Sequence, residues 1–116
     1  MNYVILIGRL GDKPKIVKTE KGKVAKFSLA TNEYYKNSKG EYVTETESHN
    51  IVFWQFTDFI EKNVEKGDMV LVQGKIITRN YKDKQGEQHW STEIVGQKIE
   101  LIKKVVADEP EEEEVF

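Results

Sequence analysis

The amino-acid sequence predicts a small all-β barrel carrying one helix. Three observations support this. Five runs are rich in β-branched and aromatic residues and are bounded by clusters of Gly, Asn, Asp and Lys. Only residues 57–66 show a helical period. That segment falls between the third and fourth runs, and the last two runs are joined by a hairpin signal.

The first strand is residues 3–10, Tyr-Val-Ile-Leu-Ile-Gly-Arg-Leu, apolar on both faces and suited to burial on both sides. Gly8 within it marks a close approach or a bulge. Residues 11–23 hold Gly11, Pro14 and Gly22 among several Lys and read as turns with a basic edge. Residues 24–31 form the second strand, with Val24, Lys26, Ser28 and Ala30 on one face and Ala25, Phe27, Leu29 and Thr31 on the other. Residues 32–44 set Tyr34, Tyr35 and Tyr42 among Lys36, Asn37, Ser38, Lys39 and Gly40, and are expected to be a mobile loop with strand-like ends. Residues 46–54 form the third strand and end in Ile51-Val52-Phe53-Trp54.

The helix is expected from about Thr57 to Lys66. Asp58 with Glu61 three residues later has the form of a capping box, and Gly67 is placed to end the helix. Phe56, Phe59, Ile60 and Val64 share one side at helical spacing. The fourth strand is residues 69–81, with Gly74 as a bend, and Asp83-Lys84-Gln85-Gly86 turns into a fifth at 88–96. A short extended segment follows at 98–105. No internal repeats are evident. This order is that of an OB-fold, a five-stranded Greek-key barrel with one helix between strands 3 and 4. It defines a domain over 1–107 and a tail over 108–116 that is expected to be disordered, since nothing there repays the entropy of ordering.

Composition narrows the function. A chain of 116 residues is one domain and long enough for a modest core. It has no Cys, so thiolate metal sites, disulfides and Cys nucleophiles are excluded, and with two His a His-rich metal site is not expected. Its early apolar run, Val4-Ile5-Leu6-Ile7, is far below a membrane span, and there is no basic leader, so a cytoplasmic location is expected. The net charge of −2 hides an asymmetry. All six acids of Asp108, Glu109, Glu111, Glu112, Glu113 and Glu114 lie in the tail, which has no basic residue. The body therefore carries 18 basic residues against 14 acidic ones, a balance that can attract a polyanion. A bare acidic run is ordinarily a solubilising tail. Here it ends in Val115-Phe116, an apolar pair that solubility does not need, and with the terminal carboxylate it makes a compact ligand for a basic, apolar groove.

Aromatics sit beside cations in the two longest loops, as Tyr34-Tyr35-Lys36 and Arg79-Asn80-Tyr81-Lys82, and Trp54 ends the strand before the helix. Single-stranded nucleic acid calls for this pairing, since cations follow the phosphates and flat rings stack on exposed bases. Aromatics in β-proteins are also core or cross-strand residues. Tyr35 and Tyr81, at loop shoulders, are read as stacking residues, and Trp90 and Phe27 as packing residues. Trp54 is open on this evidence, because it and Phe53 must point opposite ways and one of the two belongs to the core.

Several stretches resemble bacterial-type single-stranded DNA-binding proteins. They are Asn2-Tyr3-Val4-Ile5-Leu6-Ile7-Gly8-Arg9-Leu10-Gly11, Phe27-Ser28-Leu29-Ala30-Thr31-Asn32-Glu33, His49-Asn50-Ile51-Val52-Phe53-Trp54, Glu65-Lys66-Gly67-Asp68, Val72-Gln73-Gly74-Lys75, Thr78-Arg79-Asn80-Tyr81-Lys82-Asp83 and Ser91-Thr92-Glu93-Ile94-Val95. The resemblance covers about residues 1–104 in one order. It implies an OB-fold homotetramer that wraps single-stranded DNA during replication, recombination and repair. It places stacking aromatics at Tyr35, Trp54 and Tyr81, leaves a further stacking position filled by Ser48, and makes His49 a structural residue near a subunit contact. Lys36, Arg79 and Lys82 are expected phosphate contacts. It also implies that the tip Glu111-Glu112-Glu113-Glu114-Val115-Phe116 recruits replication and repair proteins, with Val115 where the family has Pro and almost no linker before it. That compactness is expected of a phage or mobile-element version.

Two other classes compete. One is a replication accessory or RNA-binding OB module that acts mainly through protein contacts. The other is a small nuclease on the same barrel, which needs clustered carboxylates for a metal. Glu45 and Glu47, the best pair, read as a solvated strand edge, so no catalytic residue, metal or cofactor is assigned.

Overall fold

The computed structural model describes residues 1–106. In chain order it has β1 (Val4–Leu10), β2 (Lys15–Thr19), β3 (Gly22–Lys36), β4 (Tyr42–Phe53), α1 (Thr57–Asn63), β5 (Met69–Lys82) and β6 (Gln88–Lys103). The sheet runs β1-β5-β6-β4-β3-β2, and β1 also pairs with β3, which closes β1, β5, β6, β4 and β3 into the expected five-stranded barrel. All ladders are antiparallel except β4–β6, which pair in parallel at Ile51↔Ile94 and Val52↔Val95. The tail residues Glu111, Glu112, Glu113, Glu114, Val115 and Phe116 lie outside the described residues.

Closure follows from the alternation in the strands. Ala25, Phe27 and Leu29 of β3, Ile51 and Phe53 of β4, Val70 and Val72 of β5 and Ile94 of β6 meet in one buried cluster. The rings of Phe27 and Phe53 stack at its centre, with centroids 6.2 Å apart and planes 11° from parallel. Ile60 and Val64 from α1 and the turn after it join that cluster. Gly8 is a close approach, as expected. A Cβ there would collide with the carbonyl oxygen of Ala30, so the β1–β3 closure needs glycine.

Four local expectations are corrected. Residues 15–19, expected as turns, form β2, which pairs with β3 alone and stands outside the closed barrel. The predicted loop over 32–44 is mostly strand: β3 runs to Lys36, β4 starts at Tyr42, and twelve residue pairs join them in unbroken register. Residues 88–96 and 98–105 are likewise one strand, β6, with irregular register opposite Gln73/Gly74. The helix ends at Asn63, short of Gly67, and no capping box forms, because Phe56 is the N-cap and makes no side-chain hydrogen bond. Of its predicted apolar side only Ile60 and Val64 are buried, while Phe56 and Phe59 are exposed.

The end of the barrel is tied by a buried carboxylate. Asp68 is fully buried, and its oxygens accept hydrogen bonds from the N–H of Glu65 (2.9 Å), the N–H of Val105 (2.8 Å) and Nζ of Lys104 (2.9 Å). Burial alone would push this carboxyl up, but the Val105 N–H, Lys104 and the Glu65 N–H outweigh it and hold it below the usual carboxylate range. Lys104 also donates to the carbonyl of Asn63 at 2.8 Å, so the chain leaving β6 is fastened to the helix and to the turn before β5.

Candidate nucleic-acid interface

Two long hairpins, β3–β4 and β5–β6, project past the core, and both turns are built alike. Asn37 and Asp83 each bond by their N–H, at 2.9 Å, to the carbonyl of the residue four later, Glu41 and Glu87. Each side-chain Oδ1 accepts the N–H of the residue two later and of that same Glu, at 2.9–3.0 Å. Gly40 and Gly86 take the positive φ the turn requires, 80° and 83°. The sequences match as well, with Tyr35-Lys36-Asn37-x-x-Gly40-Glu41 set against Tyr81-Lys82-Asp83-x-x-Gly86-Glu87. This is a short internal repeat, which corrects the expectation of none. It sets a Tyr and then a Lys at the same two steps before each turn.

Tyr35 and Tyr81 are both about half exposed. Their neighbours differ. Lys36 places Nζ 5.8 Å from the ring centroid of Tyr42, its cross-strand partner, in a cation–π arrangement. Tyr81 stacks on His89, whose Nε2 lies 2.8 Å from Oδ2 of Asp83. That contact, together with the N–H groups of the turn, holds the Asp83 carboxyl below its ordinary range. The ligand atoms of Asp83, Glu87 and His89 lie within 4.8 Å of one another, and both Asp83 oxygens are already engaged, Oδ1 by the turn and Oδ2 by His89. Arg79 donates from Nε to Glu93 at 3.0 Å and its side chain stays half exposed, while Lys82 is exposed beside Tyr81.

Trp54 is 39% exposed at the end of β4 and Phe53 is fully buried, which settles which of the pair belongs to the core. Trp90, expected as a packing residue, is 65% exposed; Phe27 is buried as expected. Trp90 shares the inward parity of Ile94 but stands four residues beyond it, where the hairpin has left the core. Tyr42, expected among the loop residues, is 82% exposed at the start of β4. Because Tyr81 and Trp90 differ in parity, the β5–β6 hairpin carries rings on both faces.

A cavity of about 650 Å³ lies between β1 and the β3–β4 hairpin and is lined by Ile5, Ile7, Tyr34, Glu33, Glu45 and Glu47 among others. Three glutamates make it unsuited to phosphate. His49 lies at its wall, with Nε2 2.9 Å from the Thr31 hydroxyl.

A family model described as the single-strand binding protein family matches residues 1–102. The chain belongs to that family. Among the family's curated proteins, Single-stranded DNA-binding protein 1 of Streptococcus pyogenes is 39% identical over 103 residues, covering 87% of this chain and 76% of that one. Single-stranded DNA-binding protein 1 of Chlorobaculum tepidum is 37% identical over 105 residues, covering 88% of this chain but only 65% of that longer protein. A solved structure from the single-strand binding protein family, the Plasmodium falciparum SSB complex with ssDNA, superposes with a TM-score of 0.80 at 37% identity, over 90% of this chain and 96% of that one. Among the described residues, no helix is long and apolar enough to cross a membrane.

Proposed function

We propose that this protein binds and protects single-stranded DNA with little sequence preference during replication, recombination and repair. The observation that carries the reading is the repeated hairpin, which presents Tyr35-Lys36 and Tyr81-Lys82 in the same register before two like turns, with Trp54 exposed at the end of β4. Rings that stack on any base, next to cations that displace counterions from phosphates, give affinity without base-specific hydrogen bonds. Family membership, and relatives named for single-stranded DNA, support the same conclusion. The protein acts by binding rather than catalysis, in the cytoplasm, and its acidic tip, Glu111 to Phe116, recruits partner enzymes.

It works as a homotetramer. β1 pairs with β5 along Val4–Arg9 but with β3 only at Arg9 and Leu10, so among the described residues one edge of Val4–Ile7 stays open. An open apolar edge with Ile5 54% exposed is a template for another strand, and a second copy is the natural cover.

The test is a tryptophan fluorescence titration with oligo-dT at low and high salt, with duplex DNA as control. Strong quenching by the single strand alone, weakened only in part by salt, is expected. Absence of binding by this and by a second probe would shift the function to a partner-recruiting module centred on the tail.

A further inference from the structure

We propose that Phe56 is a further platform on which an unpaired base of single-stranded DNA stacks, beside Trp54. The inference rests on the single-stranded DNA reading above and extends it to a residue that has no lysine beside it. Among the described residues Phe56 is the only non-glycine with positive φ, at φ 62° and ψ 21°. For a residue with a Cβ that region is unfavourable, and a bulky side chain there is an outlier.

The usual compensations are missing. Asn and Asp tolerate the conformation because their short side chains bond the backbone locally, whereas Phe56 caps α1 without any side-chain hydrogen bond. Burial does not account for it either, since the residue is 50% exposed while Ile60 and Val64 supply the apolar contacts to the core. The turn from β4 into α1 needs only a backbone that glycine would adopt without strain. What the sequence keeps at this point is the ring. Trp54, two residues earlier, is partly exposed, and Phe59, three residues later, is 40% exposed, so one six-residue junction presents three rings to solvent. A strained residue persists where the structure around it fixes it, and a ring held that way loses little freedom when a base stacks on it.

Two variants separate stacking from packing. Phe56→Leu keeps apolar bulk and the strained backbone but has no flat ring. Phe56→Gly removes ring and strain together. Both are titrated with oligo-dT across a salt series beside the wild type, and the thermal unfolding of each is followed. Stacking predicts that both lose about fivefold or more in affinity, the lower end for one stacked base. It also predicts an unchanged slope of affinity against salt, because no phosphate contact is lost. The Gly variant should unfold at or above the wild-type temperature. Wild-type affinity in the Leu variant would overturn the proposal, and so would a Gly variant that unfolds at a lower temperature, which would assign the ring to packing. If the wild type itself fails to bind oligo-dT, the broader reading falls and takes this proposal with it.

Discussion

The phenol ring of Tyr81 lies against the imidazole of His89 across the β5–β6 hairpin, with centroids 5.3 Å apart and planes 24° from parallel. His89 is itself fixed by Asp83, which belongs to the turn. One face of Tyr81 is thereby supported by the protein, and in the proposed reading a base stacks on the other. Tyr81→Ala should cost about 1–3 kcal/mol of binding to oligo-dT. His89→Ala should cost less, because the ring remains but is no longer held. In the Tyr81→Ala background the His89 substitution should cost nothing further, which a double-mutant cycle measured by fluorescence titration would show. Additive losses would mean that His89 contacts the DNA on its own account.

That arrangement marks where sequence reasoning stopped. The barrel was legible because its strands alternate around a core, and Phe27, Leu29, Ile51 and Phe53 stand at the expected steps. Residues 32–44 read as a loop because that hairpin has left the core, so both faces are polar and the period-2 signal vanishes. Trp90 reads as a packing residue for the same reason, since parity tells which face a residue takes but not where the barrel ends. The repeated turn is only seven residues long and exchanges Asn37 for Asp83, so it was recognised through its hydrogen bonds. Tyr35, Trp54 and Tyr81 all turn out to be exposed, but the contact of Arg79 with Glu93 lay beyond any linear pattern.

Trp54→Ala should weaken oligo-dT binding and leave the fold intact. Its neighbour Phe53 fills the core position, so truncating the half-exposed indole opens no buried cavity. Circular dichroism and a filter-binding assay check the two halves of the statement. Loss of β-structure in the variant would place the indole in the core after all.

Asp68 makes the fold sensitive to acid. Its carboxyl titrates lower in the folded protein than its ordinary value of 3.8. A group with a depressed folded value contributes stability that is fully present above the unfolded value and is lost as pH falls through the folded one. The contribution is therefore complete at neutral pH and disappears below about pH 4. Asp68→Ala should cost about 1.5–3 kcal/mol at pH 7, the range for a hydrogen bond to a charged group. Asp68→Asn should flatten the dependence of unfolding midpoint on pH below 4. Urea melts at pH 7, 4 and 3 would check this, and an unchanged acid slope in the Asn variant would refute it.

Deleting Glu111 to Phe116 should leave oligo-dT affinity unchanged or raise it. The segment carries four negative charges and no cation, so in the proposed reading it would compete with DNA phosphates for the basic body. The gain should shrink as salt rises, because screening weakens the competition. Parallel titrations of full-length and shortened protein at two salt concentrations decide the matter, and a clear fall in affinity would show that the tip helps to hold DNA.

Ile5→Arg should reduce the size of the assembly without unfolding the protomer. Ile5 pairs with Gln73 through its backbone, so the β1–β5 ladder survives the change, while its half-exposed side chain lies on the strand whose outer edge is open. A buried, unpaired guanidinium would be costly in any interface built on that edge, whereas on a free protomer it would be solvated. Sedimentation velocity should show a tetramer for the wild type and a smaller species for the variant, with unchanged circular dichroism. The smaller species should also bind long oligo-dT more weakly, because several protomers engaging one strand raise the effective concentration of each for its neighbouring nucleotides. A wild type that sediments as a monomer at micromolar concentration would remove the basis for assembly through β1, and a variant that stays tetrameric would move the interface to another face.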